Sequence, residues 1–207
     1  MNEELAEETG IHVGDGSMNI YNGVSCYTLA CHHIDDREYI DSFVVPLFKR
    51  VYGILPKARN RSKGAYGFRI HNSKIVDFKN KQLCLPLGKK SLIEVPESIR
   101  YCPRLFKAFL RGFVDTDGGI NTFLANKKDV YPRIELSNVS YDLMLQVYVF
   151  LKELGFRVAF WNVDANVANW RAYSRMSING FEMLAKWKKE IGFHNPKNIR
   201  KLKELGI

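Results

Sequence analysis

Apolar and polar positions alternate between two periods along this chain, and the same order of periods occurs twice. Small and apolar residues at helical spacing predict a first helix over Glu3–Gly14. Alternating positions on either side of Asn22-Gly23, a strong two-residue turn signal, predict a hairpin with Val24–His33 as its return strand. Ile40, Phe43, Val44, Leu47 and Phe48 then recur at helical spacing and predict a helix over Asp36–Arg50. Pro46, having no N–H to donate, is expected to kink or strain it. Strands are expected at Gly53–Ala58 and Ala65–His71, and a helix at Ser73–Asn80.

The second pass repeats this order. Arg104–Thr116 is predicted as a helix with Pro103 near its start. Gly119–Leu124 and Tyr131–Ser137 form a hairpin around a polar loop, Asn126–Asp129. Tyr141–Leu154 is a long helix ending at Gly155, followed by strands near Phe156–Val163 and Trp170–Ile178 and a helix over Phe181–Ile191. The offset between equivalent positions is nearly constant: 102 from Asp15 to Asp117, 106 from Phe78 to Leu184, and 107 from Lys90 to Lys197. A period of this size means a duplicated domain. Val95–Pro103 carries two prolines and no clear period, so half-domains over 1–99 and 100–207 are expected.

With 207 residues the chain can bury a core in two small domains. No apolar run reaches transmembrane length, and acidic residues rather than a signal peptide follow Met1. The protein is expected to stay where it is made, in the cytoplasm or in an organelle matrix if its gene is organellar. The net charge is +9 and the isoelectric point about 9.4. That excess favours polyanions through counterion release from phosphates, but ribosomal and RNA-binding proteins share it. None of the four cysteines lies in a Cys-x-x-Cys pair, so buried, reduced thiols are expected. Cys26 and Cys31 with His32 and His33 match no standard zinc spacing.

Two segments carry the chemistry. The first reads Thr9-Gly10-Ile11-His12-Val13-Gly14-Asp15-Gly16, the second Arg111-Gly112-Phe113-Val114-Asp115-Thr116-Asp117-Gly118. Gly10 and Gly14, and Gly112 and Thr116, place small residues on one helix face, so the two helices are expected to pack closely. Each helix then ends in Asp-Gly. The glycine suits a left-handed C-cap, but the carboxylate sits at the negative end of the helix dipole, and two such ends together repel. A local rule broken twice at equivalent points signals function. A divalent metal between the carboxylates is the natural compensation.

These segments resemble the LAGLIDADG motifs of homing endonucleases. The second is the closer match; the first departs at His12 and Val13 but keeps Gly10 and Asp15-Gly16. The resemblance spans nearly the whole chain, including Ile191–Lys197. It implies an α+β fold of two pseudo-symmetric αββαββα halves, packed through the motif helices, each with a curved antiparallel sheet lying in the major groove of DNA. The implied activity is site-specific double-strand cleavage of a long asymmetric target by metal-dependent phosphodiester hydrolysis, leaving 3′ overhangs. One chain supplies both acids, so a monomer is expected, with double-stranded DNA as partner and no small-molecule substrate.

Asp15 and Asp117 are the implied catalytic acids and metal ligands, with Gly14 and Thr116 at the same helix ends contributing to the metal site. The metal is Mg2+, as two or three divalent ions, with Mn2+ an alternative. Lys90 and Lys197 are candidate catalytic residues that stabilise developing charge on the phosphate, and His32 and Asn138 candidates for positioning water. Asp115 matches the motif's earlier acid and is read as structural. DNA-contact candidates are Asn19, Tyr21, Ser25, Tyr27, Arg69 and His71 in the first half. In the second they are Asn121 or Thr122, Arg133, Glu135, Arg171, Tyr173 and Arg175. Lys57, Arg59, Arg61 and Lys63 are read as a loop over phosphates. An RNA maturase assisting intron splicing, or a non-cleaving DNA-binding relative, is the alternative. A self-splicing intein is disfavoured, since neither a nucleophile at the start nor a terminal Asn is present.

Overall fold

The computed structural model describes residues 1–125, 129–165 and 172–207. Helix α1 (Glu3–Asp15) starts at Asn2, whose side chain accepts the Leu5 N–H at 2.9 Å. It runs straight into β1 (Gly16–Tyr21), which turns back as β2 (Val24–His32). Asn22 (φ 49°) and Gly23 (φ 78°) are both left-handed, the pair of angles that a two-residue turn needs to match strand twist.

The long helix of the first half is one helical rod in three parts: α2 (Arg37–Tyr39), a π-helical turn (Ile40–Val44) and α3 (Val45–Tyr52). Pro46 sits in the first turn of α3, where its missing N–H is tolerated because the preceding turn is widened. β3 (Arg59–Ser62), β4 (Ala65–His71), α4 (Ser73–Asp77) and a second π turn (Phe78–Gln82) follow. Gly53–Ala58 is therefore not a strand. Gly53 (φ 70°) ends α3, and the strand lies in the basic run that read as a loop.

A short helix α5 (Glu97–Arg100) straddles the expected boundary, and the second half continues with α6 (Pro103–Asp117), β5 (Gly118–Ala125), β6 (Asp129–Asn138), α7 (Tyr141–Glu153), β7 (Val158–Val163), β8 (Tyr173–Asn179), α8 (Phe181–Glu190) and α9 (Pro196–Glu204). Neither α5 nor α9 was expected. α9 has a readable start, since Asn195 caps it and Pro196 occupies its first position. Arg171 and part of the expected loop and strand around it, residues 126–128 and 166–171, lie outside the described residues.

Both sheets are antiparallel and have the same strand order, β1-β2-β4-β3 and β5-β6-β8-β7. The duplication read from spacing is therefore a duplication of topology. Each sheet has one face under helices. Met18, Tyr27, Leu29 and Phe68 pack with Phe48 in the first half, and Ile120, Ile134, Leu136 and Met176 are buried in the second. The opposite face of each sheet is open.

The motif helices α1 and α6 join the halves backbone to backbone. A Cβ on Gly10 would lie 2.0 Å from the Phe109 carbonyl oxygen, and one on Gly112 would lie 2.2 Å from that of Glu7. At Gly14 a Cβ would meet the Thr116 hydroxyl at 2.0 Å. Backbone cannot rotate away, so Gly112→Ala is expected to cost about 2 kcal/mol or more. Urea unfolding midpoints check this; a midpoint within experimental error of the parent would contradict it.

The glycines after the acids have a different role from the one expected. Gly16 (φ −80°, ψ 159°) and Gly118 (φ −128°, ψ −160°) are extended, not left-handed. They are small because a Cβ would strike the His12 backbone oxygen at 2.7 Å and the Glu135 carbonyl oxygen at 2.7 Å, respectively.

Candidate functional site

Asp15 and Asp117 are the last residues of α1 and α6, so the packing of these helices brings two negative helix ends and two carboxylates together. Burial raises the pKa of each. For Asp117 burial and then the charge of Asp15 push it up to about 7, against the pull of Lys90 and of the Asn138 side chain. Asp15 is raised by burial and by the charge of Asp36, while the Cys31 thiol, Lys90 and Lys197 oppose the rise.

The surroundings of the two acids are not equivalent. Lys90 Nζ donates to the carbonyls of Val13 (2.8 Å) and Gly14, closing the C-terminus of α1, and stands within the field of both acids. Burial lowers its pKa, and Asp117 and Asp15 counteract that. Its counterpart Lys197 does not cap α6. Its Nζ donates to Asp36 of the other half at 2.7 Å. Asp36 precedes α2 yet does not cap it. Its Oδ1 also accepts from Asn195 Nδ2 at 2.9 Å, so a first-half carboxylate holds two second-half side chains.

His32 and Asn138 diverge in the same way. Asn138 Nδ2 donates to Asp117 Oδ2 at 3.0 Å. His32 is exposed and turns to Asp35 at 3.1 Å, leaving the buried thiol of Cys31 as the group beside Asp15. The Thr116 hydroxyl donates within its own helix, toward Gly112 and Phe113 carbonyls at 3.0 Å, and packs against Gly14 between the helices, so it does not line the cleft. Asp115 is buried. It accepts the N–H groups of His194 (2.6 Å) and Asn195 (3.0 Å) and the Asn198 side chain, tying α6 to the start of α9. The structural reading of Asp115 fits this position.

A cleft of about 1070 Å³ opens over these residues, lined by Gly14, Lys90, Asp117, Asn138 and Lys197 and continuing along Asn121, Glu135 and Arg175 of the second sheet. Divalent metal fits the donor chemistry. Asp117 and Gly14 line the cleft, Asp15 lies close enough to Asp117 to raise its pKa, and among the described residues no group of three or more His, Cys, Asp or Glu could hold a metal alone. Such a site suits Mg2+, which is usually held by one or two carboxylates plus substrate phosphates. Cys26 and Cys31, five positions apart on β2, point to opposite faces and share no metal.

The Asp117 pKa has a consequence for stability. A folded value of about 7 against an ordinary 3.8 means that the folded state favours the protonated acid. The associated stability is complete below about pH 4 and is lost as pH rises through about 7. In metal-free buffer Asp117→Asn is expected to match the parent near pH 4 and exceed it above pH 7, by on the order of 1–2 kcal/mol after solvent screening. Added Mg2+ or Mn2+ should close that gap at high pH. Parallel melting curves across the range would contradict the shift.

Strand register decides the open faces. Asn19 pairs with Cys26, Tyr21 with Val24, Thr28 with Arg69 and Cys26 with His71, so Asn19, Tyr21, Arg69 and His71 share the open face. Arg59 pairs with Gly67 on that face, and Arg61 lies near Arg59 and Arg69. Arg59 and Arg61 thus belong to an edge strand instead of a loop. Tyr27 is a correction. It is 1% exposed on the core face, and its hydroxyl donates to Glu8 at 3.1 Å. Ser25, on the same side as Tyr27, is also turned from the open face. In the second sheet Asn121, Arg133, Glu135, Tyr173 and Arg175 share the open face, while Thr122 takes the Ile120 side.

A model of the LAGLIDADG-like domain matches residues 106–192, from α6 through α8. Replication factor C small subunit of Methanocaldococcus jannaschii is 26% identical over 204 residues; the match covers 99% of this chain and only 10% of that protein's length. The homing endonuclease I-DmoI in complex with DNA and Mn has a TM-score of 0.64 at 17% identity, over 92% of this chain and 96% of that one. Its complex with DNA and Ca gives 0.66 at 16% identity, over 98% and 97%. Meganuclease I-SmaMI bound to uncleavable DNA gives 0.59 at 12% identity, over 93% and 85%. At these identities the likeness to solved structures is one of fold. Residues 106–192 thus match a LAGLIDADG-like domain, and the whole chain has the two-sheet fold seen in the solved homing endonuclease I-DmoI.

Proposed function

We propose that this protein is a site-specific double-strand DNA endonuclease that works as a monomer, with half-domains 1–99 and 100–207 each supplying one acid. The observation that carries the reading is the pairing of Asp15 and Asp117 at packed helix ends, with Asp117 lining a cleft that continues along an open sheet face bearing Arg175. The relative I-DmoI in complex with DNA and Mn supports it by analogy of fold.

Asp15, Asp117 and the carbonyl of Gly14 would hold the divalent ions. Bound Mg2+ or Mn2+ supplies Lewis-acid stabilisation of the phosphate and a more acidic water. The chain's own groups do the rest. Lys90, fixed by three carbonyls of α1, presents positive charge beside both acids where charge develops on the phosphate. Asn138 fixes the rotamer of the Asp117 carboxylate. Lys197, anchored by Asp36, lines the opposite side of the cleft. Because these supports differ, the two strands of the duplex would meet different chemistry; the long asymmetric target and the 3′ overhangs rest on the resemblance of the motifs alone. The two open faces supply the DNA contacts, each as a β-ribbon in the major groove.

The test is incubation with a randomised duplex library in magnesium, with a chelator control, followed by sequencing of cut ends. Metal-dependent cutting at one asymmetric sequence is expected. Recovery of bound duplexes without any cut strand would overturn the nuclease reading in favour of a binding protein.

A further inference from the structure

The open face of the second sheet holds a prearranged pair of guanidinium groups. Glu135 lies at the centre, its side chain 14% exposed. Its Oε1 accepts from Arg175 at 2.6 Å, and its Oε2 accepts from Asn121 Nδ2 at 2.6 Å. Arg133 Nε stands 3.2 Å from Oε1 but makes no aligned hydrogen bond, so it is a buried donor without a partner. Arg133 lies over the Phe123 ring at 4.4 Å and Arg175 beside Trp161 at 5.7 Å. The rings fix the guanidinium positions, so little rotamer freedom remains to be lost on binding.

These contacts separate reader from organiser. Each Glu135 oxygen already accepts a donor from the protein and the side chain is only 14% exposed, so the carboxylate is held as a support for its neighbours. The two arginines are 32% and 38% exposed, and of the N–H donors on each guanidinium Arg175 uses only Nη2 on Glu135 while Arg133 uses none in an aligned bond. One carboxylate against two guanidiniums leaves net positive charge and unsatisfied donors on a surface shaped for the major groove. The acceptor pattern that a guanidinium fork matches there is guanine, with N7 and O6 on one edge.

We infer that Arg133 and Arg175 read guanines on neighbouring base pairs, and that Glu135 is a positioning residue that sets specificity without touching a base. This inference rests on the endonuclease reading and adds base identity to it. Glu135 holds the two guanidiniums within reach of one another, which places their targets on adjacent steps rather than on separate parts of the site.

The experiment compares binding selections from a randomised duplex library, in calcium, for the parent, Arg175→Lys and Glu135→Gln. Circular dichroism and melting confirm that each variant is folded. The parent is expected to select guanine at two neighbouring positions. Arg175→Lys keeps the charge but loses the fork, so it should lose about tenfold or more of the guanine preference at one position. Affinity elsewhere should stay within a few-fold. Glu135→Gln should flatten both positions. A parental consensus without guanine there, variants with an unchanged consensus, or an equal weakening on every sequence would each overturn the inference, the last because it marks phosphate contact. A parent that retains no duplex at all would remove the endonuclease reading, and this one with it.

Discussion

Asp117→Asn is expected to abolish metal-dependent cleavage, lowering the rate by at least about 10³-fold, the scale of losing one preorganised electrostatic group. Duplex affinity should stay within a few-fold or rise. The amide keeps the shape of the side chain and an acceptor for Asn138, but it loses the charge that recruits the ion. Removing a carboxylate also relieves repulsion, both against Asp15 and against phosphate. Asp15→Asn should act alike, because the ion site spans both helix ends. Strand-specific labels on the selected duplex give the rates, and filter binding in calcium gives the affinity. If either variant cut both strands at the parental rate, the paired-acid mechanism would fail.

The largest effect on stability is expected at a site far from the cleft chemistry. Glu8 and Lys79 form an ion pair at 2.6 Å with side-chain exposures of 1% and 0%. Tyr27 and Tyr52 donate to the Glu8 oxygens at 3.1 and 2.7 Å, and Lys79 lies 5.5 and 5.7 Å from their ring centres. Lys79→Met would leave Glu8 buried without its counter-charge, at a cost of about 3–5 kcal/mol. That is a large part of the 5–15 kcal/mol typical of a folded domain. Glu8→Leu alone should cost as much, and the double variant less than the sum, since the apolar pair leaves no unpaired charge, only the Tyr27 and Tyr52 hydroxyls without their acceptor. A double-mutant cycle in urea measures the coupling; additive costs would count against the buried pair.

The acids were legible because their signal is symmetric: two copies of one electrostatic conflict at a constant offset. The partners of the acids were not legible. Asp36 and Lys197 are separated by 161 positions, and no local pattern joins them. Cys31 read as an ordinary core thiol, and nothing around it announces Asp15. Lys79 falls in the expected helix Ser73–Asn80, and nothing in the spacing marks it as buried. The π turn over Phe78–Gln82 shifts the helical phase there and helps place it inside.

Tyr27 is a different case, because the sequence did contain the answer. A two-residue turn at Asn22-Gly23 pairs Tyr21 with Val24 and hence Met18 with Tyr27. Odd positions on β1 therefore face the same side as even positions on β2. Listing Asn19 and Tyr21 together with Tyr27 broke that parity, and a single parity error moves a side chain from groove to core. β3 escaped detection for a physical reason as well. Its four residues, Arg59–Ser62, are polar on both faces, as befits a short edge strand that must not pair with another molecule.

The hold of Asp36 on Lys197 and Asn195, together with that of Glu7 on Arg111 and His194, bears on how this protein can be rebuilt. Hybrids that graft one half onto a half from another relative would inherit only one side of these bonds. An unmatched Glu7 or Asp36 would then be buried with no cation beside it. Hybrids retargeted to new DNA would need these residues transplanted as sets along with the motif helices.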